Sequence, residues 1–140
     1  MEKPFDFWQD HSDNFLEMAL RTDRDEKLLN PDGYGKNTGD CGDTIEIFLS
    51  ATDDRIDSVS VHIDGCIHTR ASAYAVSHLV EGKTMQQAWD VTTEDVIGFL
   101  QTLPQASHYC AELAVGALYL ALANYRDLRC NPWKASYLKR

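Results

Sequence analysis

The chain is short of positive charge. Its 13 Lys and Arg stand against 22 Asp and Glu, a formal net charge of −9 over 140 residues. A surface of that sign repels phosphate backbones, which argues against nucleic-acid recognition and suits a basic protein partner or a metal cation. Long hydrophobic runs are also lacking. The longest, residues 113–123, reaches only about half of the ~20 residues that a spanning helix needs, so no membrane association is expected. Residues 1–10 carry Glu2, Asp6 and Asp10 and no apolar stretch of the kind an export signal requires. The expected location is therefore the cytoplasm. Cysteine is scarce: Cys41, Cys66, Cys110 and Cys130 form no CxxC pair, which excludes a zinc ribbon written into one local segment. In a reducing compartment such cysteines are more often thiols, metal ligands or core residues than disulfides.

What is present is ordinary for a folded domain. The apolar fraction is 44% and the charged fraction 25%. The length suits one domain, which at this size buries roughly 68–70% of the surface its unfolded chain exposes. No repeat or interdomain linker breaks the chain. A single domain over residues 1–140 is expected, with a helical N-terminal segment (1–30) and a C-terminal tail (127–140).

Residues 12–20 read as a short helix with Ser12 as N-cap and Phe15, Leu16 and Ala19 on one face. Residues 21–27 are nearly all charged and read as a solvated turn or helix end. Asn30-Pro31-Asp32-Gly33 is turn chemistry, and the stretch onward to Gly42, with Gly33, Gly35, Gly39 and Gly42 and no apolar periodicity, reads as a mobile loop. Residues 44–49 and 56–63 form two strands joined by a turn at Asp53-Asp54-Arg55. The second strand places Ile56, Val59, Val61 and Ile63 on its apolar phase, which settles only after Ser58. A helix after Cys66 groups Ala71, Tyr74, Ala75, His78 and Leu79 and stops at Gly82. Thr84-Met85-Gln86-Gln87 is a capping box opening a short helix. Another helix starts at Thr92 or Thr93 and ends before Pro104. Ser107 is the expected N-cap of a last helix running to about Tyr125, apolar nearly all round and so central to the core. Two strands with helices on one side make the class α+β.

Three cysteines share a context. Cys41 lies between Asp40 and Gly42 in the glycine-rich segment, Cys66 follows Gly65 at a strand–helix junction, and Cys110 falls in the first turn of the last helix. Near helix N-termini, free N–H groups and the helix dipole favour a thiolate, the form that binds metal, so lowered thiol pKa values are expected for Cys66 and Cys110. Asp43, two residues beyond Cys41, points to the same side if the segment is extended. His62 is on the polar phase of its strand, His78 on the inward face of its helix, and His68 is a weak site candidate. Tyr34 is a candidate cover for the cysteine loop. Cys130 reads as incidental, with Trp133 docking the tail.

The ordered set Cys41-Gly42-Asp43, Gly65-Cys66, Glu81-Gly82-Lys83-Thr84 and Leu103-Pro104 ahead of Cys110-Ala111-Glu112-Leu113-Ala114 resembles the scaffold proteins of iron–sulfur cluster assembly, the NifU N-terminal or IscU-type family. His11-Ser12-Asp13-Asn14-Phe15-Leu16 and Asn30-Pro31 are similar to that family's opening. The likeness runs from about His11 to Arg126. It implies a SufE/IscU-like α+β fold, with a small antiparallel sheet of about three strands packed against a group of helices. It also implies a non-enzymatic scaffold that binds iron and sulfide through Cys41, Asp43, Cys66 and Cys110. Its cargo would be a transient [2Fe–2S] or [4Fe–4S] cluster, its sulfur source a cysteine desulfurase, and its recipients apo iron–sulfur proteins. The same ligands suit Zn²⁺, so the alternative is a zinc-bearing persulfide acceptor for a desulfurase.

Two positions depart from the family. Tyr109 stands where the family has a histidine before its third cysteine. His108 points with Cys110 if residues 108–110 are extended, and elsewhere if they are helical. Leu103-Pro104-Gln105-Ala106-Ser107 lacks the lysine of the segment read by an Hsp70-type chaperone, so the resemblance does not carry that partnership over. An enzyme using Cys110 as nucleophile and His108 as base would leave Cys41 and Cys66 unexplained.

Overall fold

The computed structural model describes residues 12–22, 24, 25, 27, 31–39 and 42–130, without the side chain of Cys130. Cys41, Trp133 and the rest of residues 131–140 lie outside them, whereas residues 127–130 of the expected tail continue the last helix. In chain order the elements are α1 (Asp13–Leu20), β1 (Gly33–Thr38), β2 (Thr44–Thr52), β3 (Arg55–Asp64), α2 (Ile67–Val80), α3 (Met85–Trp89), α4 (Thr93–Leu100) and α5 (His108–Cys130), the last entered through a 3₁₀ turn at Gln105–Ser107. The strands form an antiparallel sheet in the order β1-β2-β3. α5 lies along β1 and β2, and α2 along β3, so the helices cover one face. The buried apolar residues of sheet and helices make one cluster, with Phe15, Ile47, Val59, Tyr74 and Leu118 fully buried.

The expected loop at 33–42 is largely β1, paired with β2 from Gly33↔Leu49 to Thr38↔Thr44. Its inward positions are Gly33, Gly35 and Asn37, so no apolar period exists to be read. The missing side chains let the strand lie directly on α5. A Cβ on Gly33 would stand 2.7 Å from the Ala121 carbonyl, and one on Gly35 would collide with the Ala117 carbonyl and the Ala121 nitrogen. Asn37 donates to the Leu113 carbonyl (3.2 Å), and the Tyr34 N–H donates to Asn124 Oδ1 (3.0 Å).

The late settling of phase in β3 has a backbone cause. Ser50 pairs with Ser58 but Ala51 pairs with Ile56, so the register shifts there and Asp57 is the extra residue. The outer face is less polar than expected, since Phe48 and Ser60 are also buried. Arg24 and Asp25, expected in a solvated turn, are docked instead. The Val61 N–H donates to the Arg24 carbonyl (2.8 Å) on the free edge of β3, and Asp25 accepts from the Tyr74 hydroxyl (2.6 Å) and from Arg70 (2.8 Å).

The helix caps largely follow the sequence. Ser12 caps α1, although Met18 rather than Leu16 completes the buried face. Thr84 and Thr92 both form capping boxes. Ser107 does not cap α5: it sits inside the 3₁₀ turn, and α5 continues past Tyr125 to Cys130. By length and apolar content residues 105–129 could cross a membrane, but Ala114, Ala117, Leu118 and Ala121 on this helix are buried in the core cluster, as a central helix requires. His78 is exposed, not inward. Its neighbours on α2 fill the core on nearly every side, and its ring stacks on Phe99 instead (centroids 4.9 Å apart).

Candidate metal centre

One end of the sheet gathers three of the residues expected as ligands, Asp43, Cys66 and Cys110. The Thr44↔Asp64 pairing brings the entry to β2 beside the exit from β3. Asp43 precedes β2, and Cys66 follows β3 as the N-cap of α2. Cys110 arrives from the start of α5. The connection between β1 and β2 is tight: the Gly39 N–H donates to the Asp43 carbonyl (2.8 Å) and the Gly42 N–H to the Gly39 carbonyl (3.0 Å). Gly42 has φ +87°, a conformation that favours glycine. Cys41, in that connection, lies outside the described residues.

One ligand atom from each of Asp43, Cys66 and Cys110 lies within 4.8 Å of the others. Around a tetrahedral ion, bonds of about 2.0–2.3 Å place neighbouring ligands roughly 3.3–3.8 Å apart, a gap that small side-chain rotations close. The donor set fits a borderline or soft divalent metal, since two sulfurs and a carboxylate oxygen suit zinc or iron better than magnesium or calcium. Three acids in so small a space repel one another once ionised, and a cation relieves that repulsion.

Thr69 was not anticipated from the sequence. Its hydroxyl donates to Asp43 Oδ2 (2.9 Å) and lies 3.5 Å from both Cys66 Sγ and Cys110 Sγ. The available signal was position: Thr69 is the third helical residue after the N-cap Cys66, where a side chain meets the cap.

The two thiols differ. Burial pushes Cys66 up, but the Thr69 hydroxyl and the N–H groups of Thr69 and His68 outweigh it, even against the nearby Asp43 charge. The net result is a thiol below its ordinary value. The sulfur closes no formed capping hydrogen bond, yet it faces the first turn of α2 and is exposed. Cys110 departs from expectation. Burial raises its thiol despite hydrogen bonds from Thr69 and Tyr109, and Cys66 and Asp43 raise it further. Cys110 does lie in the first turn of α5, but it is fully buried there, and burial outweighs what the helix end offers a thiolate.

The remaining candidates lie elsewhere. Residue 108 is already helical, and His108 Nε2 lies 3.3 Å from the Leu103 carbonyl, outside the ligand group. A Cys110–His108 nucleophile–base pair is thus not assembled. His68 Nδ1 lies 3.0 Å from Ser107 Oγ, and burial lowers its pKa. His62 is exposed, as expected, and pairs with Glu46 (3.0 Å). The Tyr34 ring packs on Phe48 and its hydroxyl donates to Glu46 (2.6 Å), and the cysteine it was expected to cover lies outside the described residues.

Residues 13–131 match the family model described as the NifU-like N-terminal domain. The chain belongs to this family. Two iron–sulfur cluster assembly scaffold proteins IscU of Archaeoglobus fulgidus are each 31% identical to it over 101 residues, covering 71% of this chain and 65% of theirs. The iron–sulfur cluster assembly protein IscU of Plasmodium falciparum is 31% identical over 105 residues, covering 75% of this chain and 63% of its own. The match thus spans less than two thirds of these relatives' length. A crystal structure of a NifU-like protein (N-terminal) from Brucella abortus shares the fold, with a TM-score of 0.65 and 17% identity over 83% of this NifU-like chain and 94% of that one.

Proposed function

We propose that this NifU-like domain is a scaffold on which iron–sulfur clusters are assembled and from which they are passed on. The carrying observation is the convergence of Asp43, Cys66 and Cys110 within 4.8 Å at one end of the sheet, with Cys41 two residues before Asp43. Cys41, Asp43, Cys66 and Cys110 are the proposed ligands, and the similarity to IscU scaffold proteins supports the reading. The role is that of a carrier rather than a catalyst, in a single domain. The iron–sulfur cluster is its cargo, of the [2Fe–2S] or [4Fe–4S] type, and Zn²⁺ is an alternative occupant of the same ligands.

The chemistry suits temporary custody. Three thiolates and one carboxylate grip a cluster less firmly than four thiolates, and an exposed Cys66 leaves the site open to exchange. A cysteine desulfurase is the proposed sulfur source, and apo iron–sulfur proteins the proposed recipients. Cys66 and Cys110 are free thiols, which suits a reducing compartment such as the cytoplasm.

Anaerobic addition of ferric iron and sulfide to the metal-free chain tests this. A visible sulfur-to-iron charge-transfer chromophore is expected. Cys41→Ala, Cys66→Ala and Cys110→Ala should each weaken it, Asp43→Ala should alter its persistence, and Cys130→Ala should leave it unchanged. A colourless wild-type product overturns the scaffold reading. Zinc that iron cannot displace would favour the persulfide acceptor.

A further inference from the structure

Thr69 is fully buried, yet its side chain ends on a hydroxyl at the meeting point of three ligand side chains. That one oxygen lies 2.9 Å from Asp43 Oδ2 and 3.5 Å from each of the sulfurs of Cys66 and Cys110. The three ligands come from different parts of the chain: the β1–β2 connection, the cap of α2 and the start of α5. We infer that Thr69 is the positioning residue of the metal centre, its single hydroxyl holding Asp43, Cys66 and Cys110 in convergence. The inference rests on the metal-site reading above.

A second observation shows that the hydroxyl is aimed. A Cβ on Gly65 would stand 3.0 Å from Thr69 Oγ1, 3.1 Å from its Cβ and 3.1 Å from its Cγ2. The threonine therefore fills the space that glycine leaves empty, one residue before the ligand Cys66. A β-branched side chain on a helix has few rotamers, and this packing leaves little room for exchange among them. The hydroxyl carries one proton and two lone pairs. It gives the proton to the carboxylate while the sulfurs carry their own, and it can turn to a sulfur that ionises, so the carboxylate is oriented before any metal arrives. Groups that orient metal ligands in this way typically contribute about 10- to 100-fold in metal affinity.

The test uses Co²⁺ added anaerobically to the full metal-free chain, with affinity measured against a competing chelator. Cobalt's d–d bands report geometry and its thiolate charge-transfer bands report sulfur ligation. Thr69→Val keeps the branched shape and removes the hydroxyl; it should weaken Co²⁺ binding about 10- to 100-fold and shift the d–d bands. Thr69→Ser restores the hydroxyl and should return affinity and spectrum toward wild type. Gly65→Ala keeps the hydroxyl but displaces it, and should weaken binding in the same direction; it serves in place of Thr69→Val if that variant fails to fold. Wild-type affinity in either Thr69→Val or Gly65→Ala overturns the inference, as does a loss in Thr69→Ser equal to that in Thr69→Val. If wild type binds Co²⁺ with thiolate bands while Thr69→Val is unchanged, the role of Thr69 falls and the metal site stands. If wild type shows no such bands, both fall.

Discussion

Substituting one glycine in β1 should cost more than its size implies. Gly35→Ala adds a single methyl group, and alanine is ordinarily the better residue in regular structure. Here the methyl would point into α5, against the Ala117 carbonyl and the Ala121 nitrogen. These are main-chain atoms in the middle of a helix, so no side chain can rotate aside. The strand must lift from the helix or the helix must bend, and either movement opens the packing around Leu49 and Leu118, both fully buried. Overpacking of this kind costs about 1–3 kcal/mol, and a backbone obstacle places the expected value in the upper part, about 2–3 kcal/mol. For a domain of this size that corresponds to a melting point lowered by roughly 6–15 °C. Thermal and urea unfolding followed by circular dichroism measure it. Gly98→Ala is the internal control: Gly98 lies in α4, where a Cβ meets nothing within 4 Å, and the same substitution should raise stability by about 0.4–1 kcal/mol. A Gly35→Ala protein that melts at or above wild type refutes direct strand-on-helix packing.

Three further outcomes are expected. On the outer sheet face, burial and the bond to Glu46 push the Tyr34 phenol up to about 12 from 10.0. Burial would raise Glu46, but Tyr34, Lys27, His62 and Lys36 together hold it below its ordinary 4.5. Stability from Tyr34 is thus whole below pH 10 and lost as pH rises toward 12, while that from Glu46 is whole above its unfolded value and lost as pH falls through its folded one. Urea midpoints of Tyr34→Phe across that alkaline range should fall less steeply than those of wild type, and parallel curves would contradict the coupling. In the metal-free protein, iodoacetamide should label exposed Cys66 well before buried Cys110, read by peptide mass mapping; equal rates would contradict the thiol assignments. Thr84→Ala and Thr92→Ala should each cost about 1 kcal/mol and add when combined, because the two capping boxes share no partner; unchanged urea midpoints would count against both caps.

How much was legible follows from where the information lay. Periodic and capping signals are local, so α2, both capping boxes and the β2–β3 hairpin could be read from neighbours in the chain. Tyr109 and the altered segment around Gln105 were legible as departures, but their consequence depended on whether residue 108 was already helical. β1 was missed because an apolar-pattern argument needs side chains, and this strand faces the core with Gly33, Gly35 and Asn37. Arg24 and Asp25 were misread because charge ordinarily marks solvent, and only Tyr74 and Arg70, far along the chain, make a docked Asp25 favourable.

The amino-acid order alone determined the chemistry available: an acidic chain, thiols beside glycines, and an aspartate two residues from a cysteine. It determined the helices and the hairpin as well, because those depend on contacts a few residues apart. Tertiary structure decided which groups meet. It placed Asp43, Cys66 and Cys110 at one end of the sheet, turned His108 away, sank Cys110 into the core and put the Thr69 hydroxyl among them. Those relations join segments tens of residues apart, and only the packing of α5 and α2 against the sheet brings their ligand atoms within 4.8 Å of one another.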